Sequence, residues 1–378
     1  MEKTKKTLFL IWENPKSHQV ILPIIKKFSN FSKVYLISQR NKKIDRLDEK
    51  DSNYEKYCKL NQVFYSHKIK YFNKFFLFYY YFLSIILIIY LRPSYIYVIN
   101  KYPLLIIYLI KKMLNSKIIY HNLDYDPNPK SFFHRFLAKI EKYAMKYVDL
   151  LIFSHKKRGE RFVKDNMVKK NFVVFYNSLP KQYFKKYMKK INNNNKIKKI
   201  IYFGSIGEGH GINAMIKSFN YLDENYRFYI YGWVISENYL NKIKTTINNL
   251  KLNNKVFIKQ DLKDYEWKSK IIESDLGVAI YENTSFSHKY MFTASQKINA
   301  FLAAGLPFII LKNNDFIKYN KKFKCCIEVR LKPKEISKKI KLIIKNKKNY
   351  LRIKKNSKNV FLKNFNFENQ FKKIEKFL

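Results

Sequence analysis

Ser295, Gln296 and Lys297 head an apolar run that closes at Gly305, Leu306 and Pro307. A serine at that position can cap a helix by accepting hydrogen bonds from the free amides of its first turn. Gly305 suits the left-handed position that ends a helix, and Pro307 prevents continuation. A lysine in the first turn lets ammonium, amides and helix dipole converge on one anion. A second set, Gly204, Ser205, Gly207, Gly209, His210 and Gly211, follows directly on the apolar run 199–203. Glycines after a strand let backbone amides approach a phosphate with no Cβ in the way, although a plain strand-turn-helix reads the same. Tyr231 and Gly232, then Tyr281 and Glu282, end two further strand-like runs. Ligands of open parallel sheets sit beyond the carboxyl ends of the strands. Gly204, Ser205, Gly207, His210, Gly211, Tyr231, Gly232, Tyr281, Glu282, Ser295 and Lys297 are therefore expected around one crevice, with phosphate binding as the chemistry that the glycines and the lysine favour.

The first half of the chain offers other chemistry. His121, Asp124 and Asp126 fall within six residues after a strand-like run. A histidine and carboxylates so close together could activate a hydroxyl; equally, Asp126 or Asn128 could hold a turn before Pro129. His121 and Asp124 are the candidate catalytic pair. Asn14 and Lys16, in the turn after the first strand, are candidates for contact with an acceptor or phosphate, or form an ordinary polar turn. The three cysteines, Cys58, Cys325 and Cys326, have no metal-ligand spacing, so no metal site is expected. The same cysteine usage fits a reducing cytosol, and Leu8 to Trp12 is too short an apolar region for a secretory signal.

These residues need a scaffold. Short apolar runs (6–12, 33–38, 94–100, 117–120, 149–154, 172–176, then 199–203, 227–231, 255–258, 276–280 and 308–311) alternate with helix-like segments. That alternation predicts α/β structure with parallel sheets covered on both faces. The pattern breaks at a polar, asparagine-rich stretch, which gives domains at 1–180 and 199–360, a linker at 181–198 and a closing helix at 361–378. The chain has 378 residues, 47% hydrophobic, enough for two packed cores. Its formal net charge of +48 draws it to polyanions. Lysine far outnumbers arginine, and Lys, Asn, Ile, Phe and Tyr are abundant together. This is the mark of AT-rich coding rather than of a nucleic-acid surface, so no nucleic acid is expected as partner. The segment from Phe75 to Leu91 has Ser84 as its one non-aromatic polar residue. It reads as a buried helix, as a helix lying flat in an anionic membrane interface, or as a span.

A set of motifs in order resembles a known family. Glu141, Asp149, Ser154, Arg158, Asn177 and Pro180 form a ladder similar to that of family-4 glycosyltransferases. The glycine loop 204–211, the Gly232 turn, Ser274 to Tyr281, Ser295 to Pro307, and Asn366 to Glu368 follow in the family's order. The resemblance covers most of residues 95–378. It implies GT-B architecture: two doubly wound, Rossmann-like domains with a C-terminal helix packing back on the first. It also implies a nucleotide-sugar donor on the second domain, with Ser295 and Lys297 at the diphosphate and a histidine near His121 touching the transferred sugar. Hexosyl transfer with retention, no required metal or other cofactor, and a glycan or lipid-linked acceptor are further implications. So is work at the cytoplasmic membrane face; the basic surface and the aromatic segment 75–91 themselves suggest peripheral docking on an anionic membrane beside a lipid-linked acceptor, as in surface-polysaccharide assembly. The chain departs from the family at four positions. Ser205 and His210 stand where it carries arginine and lysine, and Phe292 and Ala300 where it carries a pair of glutamates. A non-catalytic GT-B scaffold is the alternative these departures raise.

Overall fold

The computed structural model describes residues 5–40, 56–64, 70–110, 113–187, 196–260, 262 and 264–378. The chain divides into two units, 1–177 with 370–378, and 178–369. In the first, seven strands run in the order β3-β2-β1-β4-β5-β6-β7, all parallel among the described residues. They are β1 Lys6–Ile11, β2 Lys33–Arg40, β3 Lys59–Phe64, β4 Tyr95–Ile99, β5 Lys117–Asn122, β6 Leu150–Phe153 and β7 Phe172–Val174. β1 and β4 lie at the centre, so their side chains face a helix layer on either side and read as unbroken apolar runs. The register pairs Ile11 with Ile99 and Ile99 with His121. The carboxyl ends of β1, β4 and β5 therefore lie side by side.

The last nine residues belong to this unit. The Tyr176 amide donates to Gln370 Oε1 at 3.0 Å, Lys373 Nζ donates to the Val174 carbonyl at 2.8 Å, and Phe371 meets Phe28 edge-on at 6.3 Å. They continue the helix Phe367–Glu375, which follows a π-helical turn at Phe361–Phe365.

The second unit has six parallel strands in the order β10-β9-β8-β11-β12-β13. These are β8 Lys198–Phe203, β9 Tyr226–Tyr231, β10 Val256–Lys259, β11 Leu276–Ala279, β12 Phe308–Leu311 and β13 Ile327–Val329. Strand order reverses at β8, which opens a crevice at the carboxyl ends of β8 and β11. The division of the chain falls between Asn177 and Ser178, ahead of the expected linker at 181–198. The reason is local: the Leu179 amide donates to Asn299 Oδ1 at 3.0 Å, and Phe184 packs edge-on against Trp267 at 6.4 Å. The asparagine-rich part of that linker, 188–195, lies outside the described residues.

Candidate functional site

The site grows from the ends of β8 and β9 in the second unit. The Gly204 amide donates to the Tyr231 carbonyl at 2.9 Å. A Cβ on Gly232 would stand 1.7 Å from the Gly204 carbonyl oxygen, so only glycine lets the two strand ends touch. Beyond them the Ile206 amide donates to Trp233 O (2.8 Å) and the Ile235 amide to Ile206 O (3.0 Å), which ties the glycine loop to the turn after β9. The loop ends at Gly211, in the left-handed region at φ 66°, where a Cβ would lie 2.3 Å from Ile280 Cγ2. The Gly211 amide donates to Glu282 Oε1 at 3.0 Å, and the Glu282 amide to Gly209 O at 2.8 Å. Glu282 thus braces the loop. The His210 amide closes the turn at Glu208–Gly209, while those of Ser205, Gly207, Glu208 and Gly209 have no acceptor among the described residues. Successive free amides of this kind make a concave nest for an anion.

The helix Gln296–Ala304 brings the charge. Ser295 caps it by accepting from the Ile298 amide at 3.1 Å, and its hydroxyl also hydrogen-bonds the Tyr281 hydroxyl at 2.6 Å. Gly305 ends it at φ 66°. Lys297 is buried, and its ammonium lies over the faces of Tyr202 (4.6 Å) and Tyr281 (5.0 Å). It donates to the Tyr202 hydroxyl at 3.3 Å, and a Cβ on Gly204 would stand 3.2 Å from it. No carboxylate among the described residues pairs with it, and burial pulls its pKa from 10.5 to about 7. His210 is buried beside it. Desolvation first, then the charges of Lys297 and His288, push that imidazole down to about 2, so it is neutral at physiological pH. His210 Nδ1 has no hydrogen-bond partner among the described residues. The ring lies 5.7 Å from Tyr281 and 5.1 Å from His288.

The sequence-predicted residues of this unit therefore meet in one place. Gly204 touches Tyr231, Gly232 and Lys297; Tyr281 joins Ser295 to His210; Glu282 holds Gly211. Tyr202, which supports the ammonium, was missed; its one signal is a hydroxyl one residue before the end of β8. Gly207 packs against Ile235, and Ser205 O accepts the Tyr202 hydroxyl. At the two positions of the family's glutamates, Phe292 stacks on Tyr319 at 4.7 Å and Ala300 is fully buried.

The other candidates belong to the first unit and gather where β1, β4 and β5 end. His121 is wholly buried. Its Nδ1 bonds the Tyr97 hydroxyl at 2.9 Å, and its Nε2 has no partner among the described residues. Burial, with His18 nearby, lowers its pKa to about 3. Asp124 is exposed, 3.5 Å from the buried Arg158 guanidinium, which also donates to Leu123 O at 3.1 Å. Asp126 accepts from the Asn128 amide at 3.0 Å and holds the turn. Asn14 caps a short 3-10 turn by accepting from the Lys16 amide at 3.0 Å. Glu13 belongs to the same candidate turn as Asn14 and Lys16, whereas Asn100 was not singled out beforehand. Asn100 Nδ2 donates to Glu13 Oε1 at 3.1 Å, and burial raises the Glu13 pKa. The signal for Asn100 was position, one residue past the end of β4. Among the described residues no cluster of His, Cys, Asp and Glu could hold a metal ion.

No family model and no curated protein sequence matches the chain. Solved structures do. HepE of Anabaena, in complex with UDP and glucose, is 12% identical with a TM-score of 0.76 over 99% of both chains. A glycosyltransferase from Rickettsia africae is 13% identical with a TM-score of 0.72, over 99% of this chain and 97% of that one. WaaG, a glycosyltransferase involved in lipopolysaccharide biosynthesis, is 12% identical with a TM-score of 0.64, over 97% and 98%. At these identities the likeness speaks for the fold. The chain has the GT-B fold, two Rossmann-like α/β units built on parallel sheets.

Proposed function

We propose that the protein is a glycosyltransferase whose second unit holds the diphosphate of a nucleotide-sugar donor. The observation that carries this reading is Lys297, a buried ammonium with no carboxylate partner among the described residues, placed beside Gly204 under a nest of free amides. An arriving diphosphate would find its counter-charge and its hydrogen-bond donors already in position, and catalysis would lie in holding the donor and stabilising the departing nucleotide. Because ammonium and amides meet that charge, no metal is required. The GT-B structures named above include one bound to UDP and glucose, and a uridine diphosphate donor is the first to test. The acceptor is a glycan or a lipid-linked saccharide in surface-polysaccharide assembly, with transfer at the cytoplasmic membrane face and retention at the anomeric centre. His121, wholly buried with its Nδ1 on the Tyr97 hydroxyl, would support the strand ends of the first unit rather than touch a sugar, and Asp124, Asn14 and Lys16 would serve the acceptor side.

Phe292 and Ala300 favour a second reading, a GT-B scaffold that binds no donor, because both acid positions are filled by core residues. Calorimetry with UDP, GDP and their sugar conjugates in EDTA separates the two. Micromolar binding of one nucleotide supports the transferase, and no heat with any of them supports the scaffold.

A further inference from the structure

The helix Lys70–Leu91 is apolar on two opposite faces. Its inner stripe of Tyr80, Ser84, Ile88 and Leu91 is buried in the first unit. Its outer stripe, at the spacing of one helix face, is Phe75, Phe78, Phe82, Ile86, Ile89 and Tyr90, all exposed; Phe78 is 78% and Tyr90 79% accessible. The surface of a helix docked on a water-soluble domain is ordinarily polar. This one carries no charged residue between Phe75 and Leu91.

The patch continues on neighbouring elements. Tyr81 donates to the Tyr102 carbonyl at 3.3 Å, and the Tyr102 hydroxyl bonds His134 Nε2 at 2.9 Å. That chain of contacts ties the aromatic helix to the helix Phe132–Ala144, whose Phe132 is 80% accessible and whose Phe133 and Phe136 are also exposed. The same segment carries Lys130, Arg135, Lys139, Lys142 and Lys146, all exposed, against the exposed acid Asp126 in the loop before it. The one acid of that helix, Glu141, is buried and accepts from Tyr120.

We propose that this face lies in the plane of an anionic lipid bilayer, with its rings among the acyl chains and its lysines at the headgroups. Aromatic rings flanked by cations, with no exposed acid on either helix, complement a negatively charged interface. A second copy of the chain fits poorly, because each copy carries a formal charge of +48. Spanning is excluded by the buried inner stripe, and among the described residues no helix is long and apolar enough to cross a membrane. The proposal deepens the reading of a lipid-linked acceptor, yet its test needs neither donor nor acceptor, so failure here leaves nucleotide binding standing.

Vesicle flotation of the full chain decides it. The protein should float with vesicles in which roughly a third of the lipid is phosphatidylglycerol, and weakly with phosphatidylcholine alone. Raised salt should reduce the bound fraction without abolishing it, because ring insertion is not screened. Phe78→Ser with Phe82→Ser should lower the partition coefficient about tenfold or more, with UDP calorimetry unchanged. Phe132→Ser, at the exposed first residue of its helix, should lower it as well and keeps the test open if the double variant does not fold. No flotation of the wild type with anionic vesicles overturns the proposal. So does undiminished binding by folded variants, or light scattering that shows a dimer which Phe78→Ser with Phe82→Ser dissociates.

Discussion

Replacing Lys297 by methionine is expected to stabilise the ligand-free protein and to weaken its hold on UDP. Burial takes the Lys297 pKa from 10.5 to about 7, which corresponds to about 5 kcal/mol against the charged form in the fold. Because the folded pKa lies below the unfolded one, the unfolded chain binds more protons between pH 7 and 10.5. Stability therefore rises with pH through that window, and the full penalty is felt below it. Methionine keeps much of the side chain's bulk without the charge. The gain at pH 6 is expected near 1–4 kcal/mol, the range seen when buried charges give way to apolar groups of similar volume. It should shrink to under about 1 kcal/mol by pH 10, where the lysine is neutral in the fold but still about three-quarters charged in the unfolded chain, and vanish only above 10.5. Binding moves the other way. A diphosphate needs the charged lysine, so wild-type affinity for UDP should fall about twenty-fold from pH 7 to 9, toward that of the methionine variant, which stays nearly flat. At pH 7 the variant should bind about thirty-fold more weakly, a loss of about 2 kcal/mol. His210 does not confound the window, since its imidazole is already neutral far below it. Scanning fluorimetry from pH 6 to 10 and titration calorimetry at pH 7, 8 and 9 give both readouts. The reasoning is refuted if wild-type affinity is flat over that range, or if the variant is less stable at pH 6.

Gly232→Ala should abolish UDP binding and lower the melting temperature, since its Cβ would stand 1.7 Å from the Gly204 carbonyl; Gly207→Ala, where the nearest atom would be 3.4 Å away, is the tolerated control in the same calorimetry. Asn299→Ala removes the acceptor of the Leu179 amide and the donor to Phe365 O, both buried, and should cost about 2–4 kcal/mol in urea unfolding. The His121 pKa is lowered from 6.5 to about 3, so stability should fall as pH drops through that interval, and His121→Asn should flatten the fall in acid-melt curves. The same shift predicts a pH-rate profile with no limb near 6.5 from this residue.

What the sequence made legible was set by how much of each signal is local. The cap at Ser295 and the stop at Gly305 depend on one helix turn each, and both stand where residue type placed them. The central strands were readable because burial on both faces leaves an unbroken apolar run. β3 was missed because Lys59–Phe64 sits at the sheet edge, with Asn61 and Gln62 breaking the run. The helices Asn314–Phe323, Pro333–Lys345 and Lys347–Val360 were obscured by lysines on their outer faces. The aromatic helix left three readings open for a different reason: its composition fits a core element as well as an interface, and its place at the surface depends on the packing of its inner stripe. The neutrality of His210 and His121 was unreadable, because desolvation is a property of the packed unit.

The departures from the family pattern become coherent once charge is followed by position in space. The glycine loop has lost its basic residues at Ser205 and His210, yet an ammonium still stands against Gly204, delivered by the neighbouring helix. Lys297 is costly to keep there. It has two aromatic faces and one hydroxyl, and no carboxylate among the described residues, to offset its desolvation. A sheet-packing helix with no duty toward an anion would be more stable with leucine or methionine at that position. The cost is recovered when an anion supplies the missing counter-charge, and the four unpaired amides of the loop among the described residues face the same need from the backbone side. Phe292 and Ala300 leave no glutamate at either family position, so on the proposed reading a donor's ribose hydroxyls would be met by other acceptors. Glu282, already fixed through the Gly211 amide, is the carboxylate nearest along the chain to the glycine loop's partners. Glu282→Gln preserves that amide bond while removing the charge. If it leaves UDP affinity intact and lowers that of UDP-sugars alone, the carboxylate serves the sugar; if both fall together, it serves the ribose.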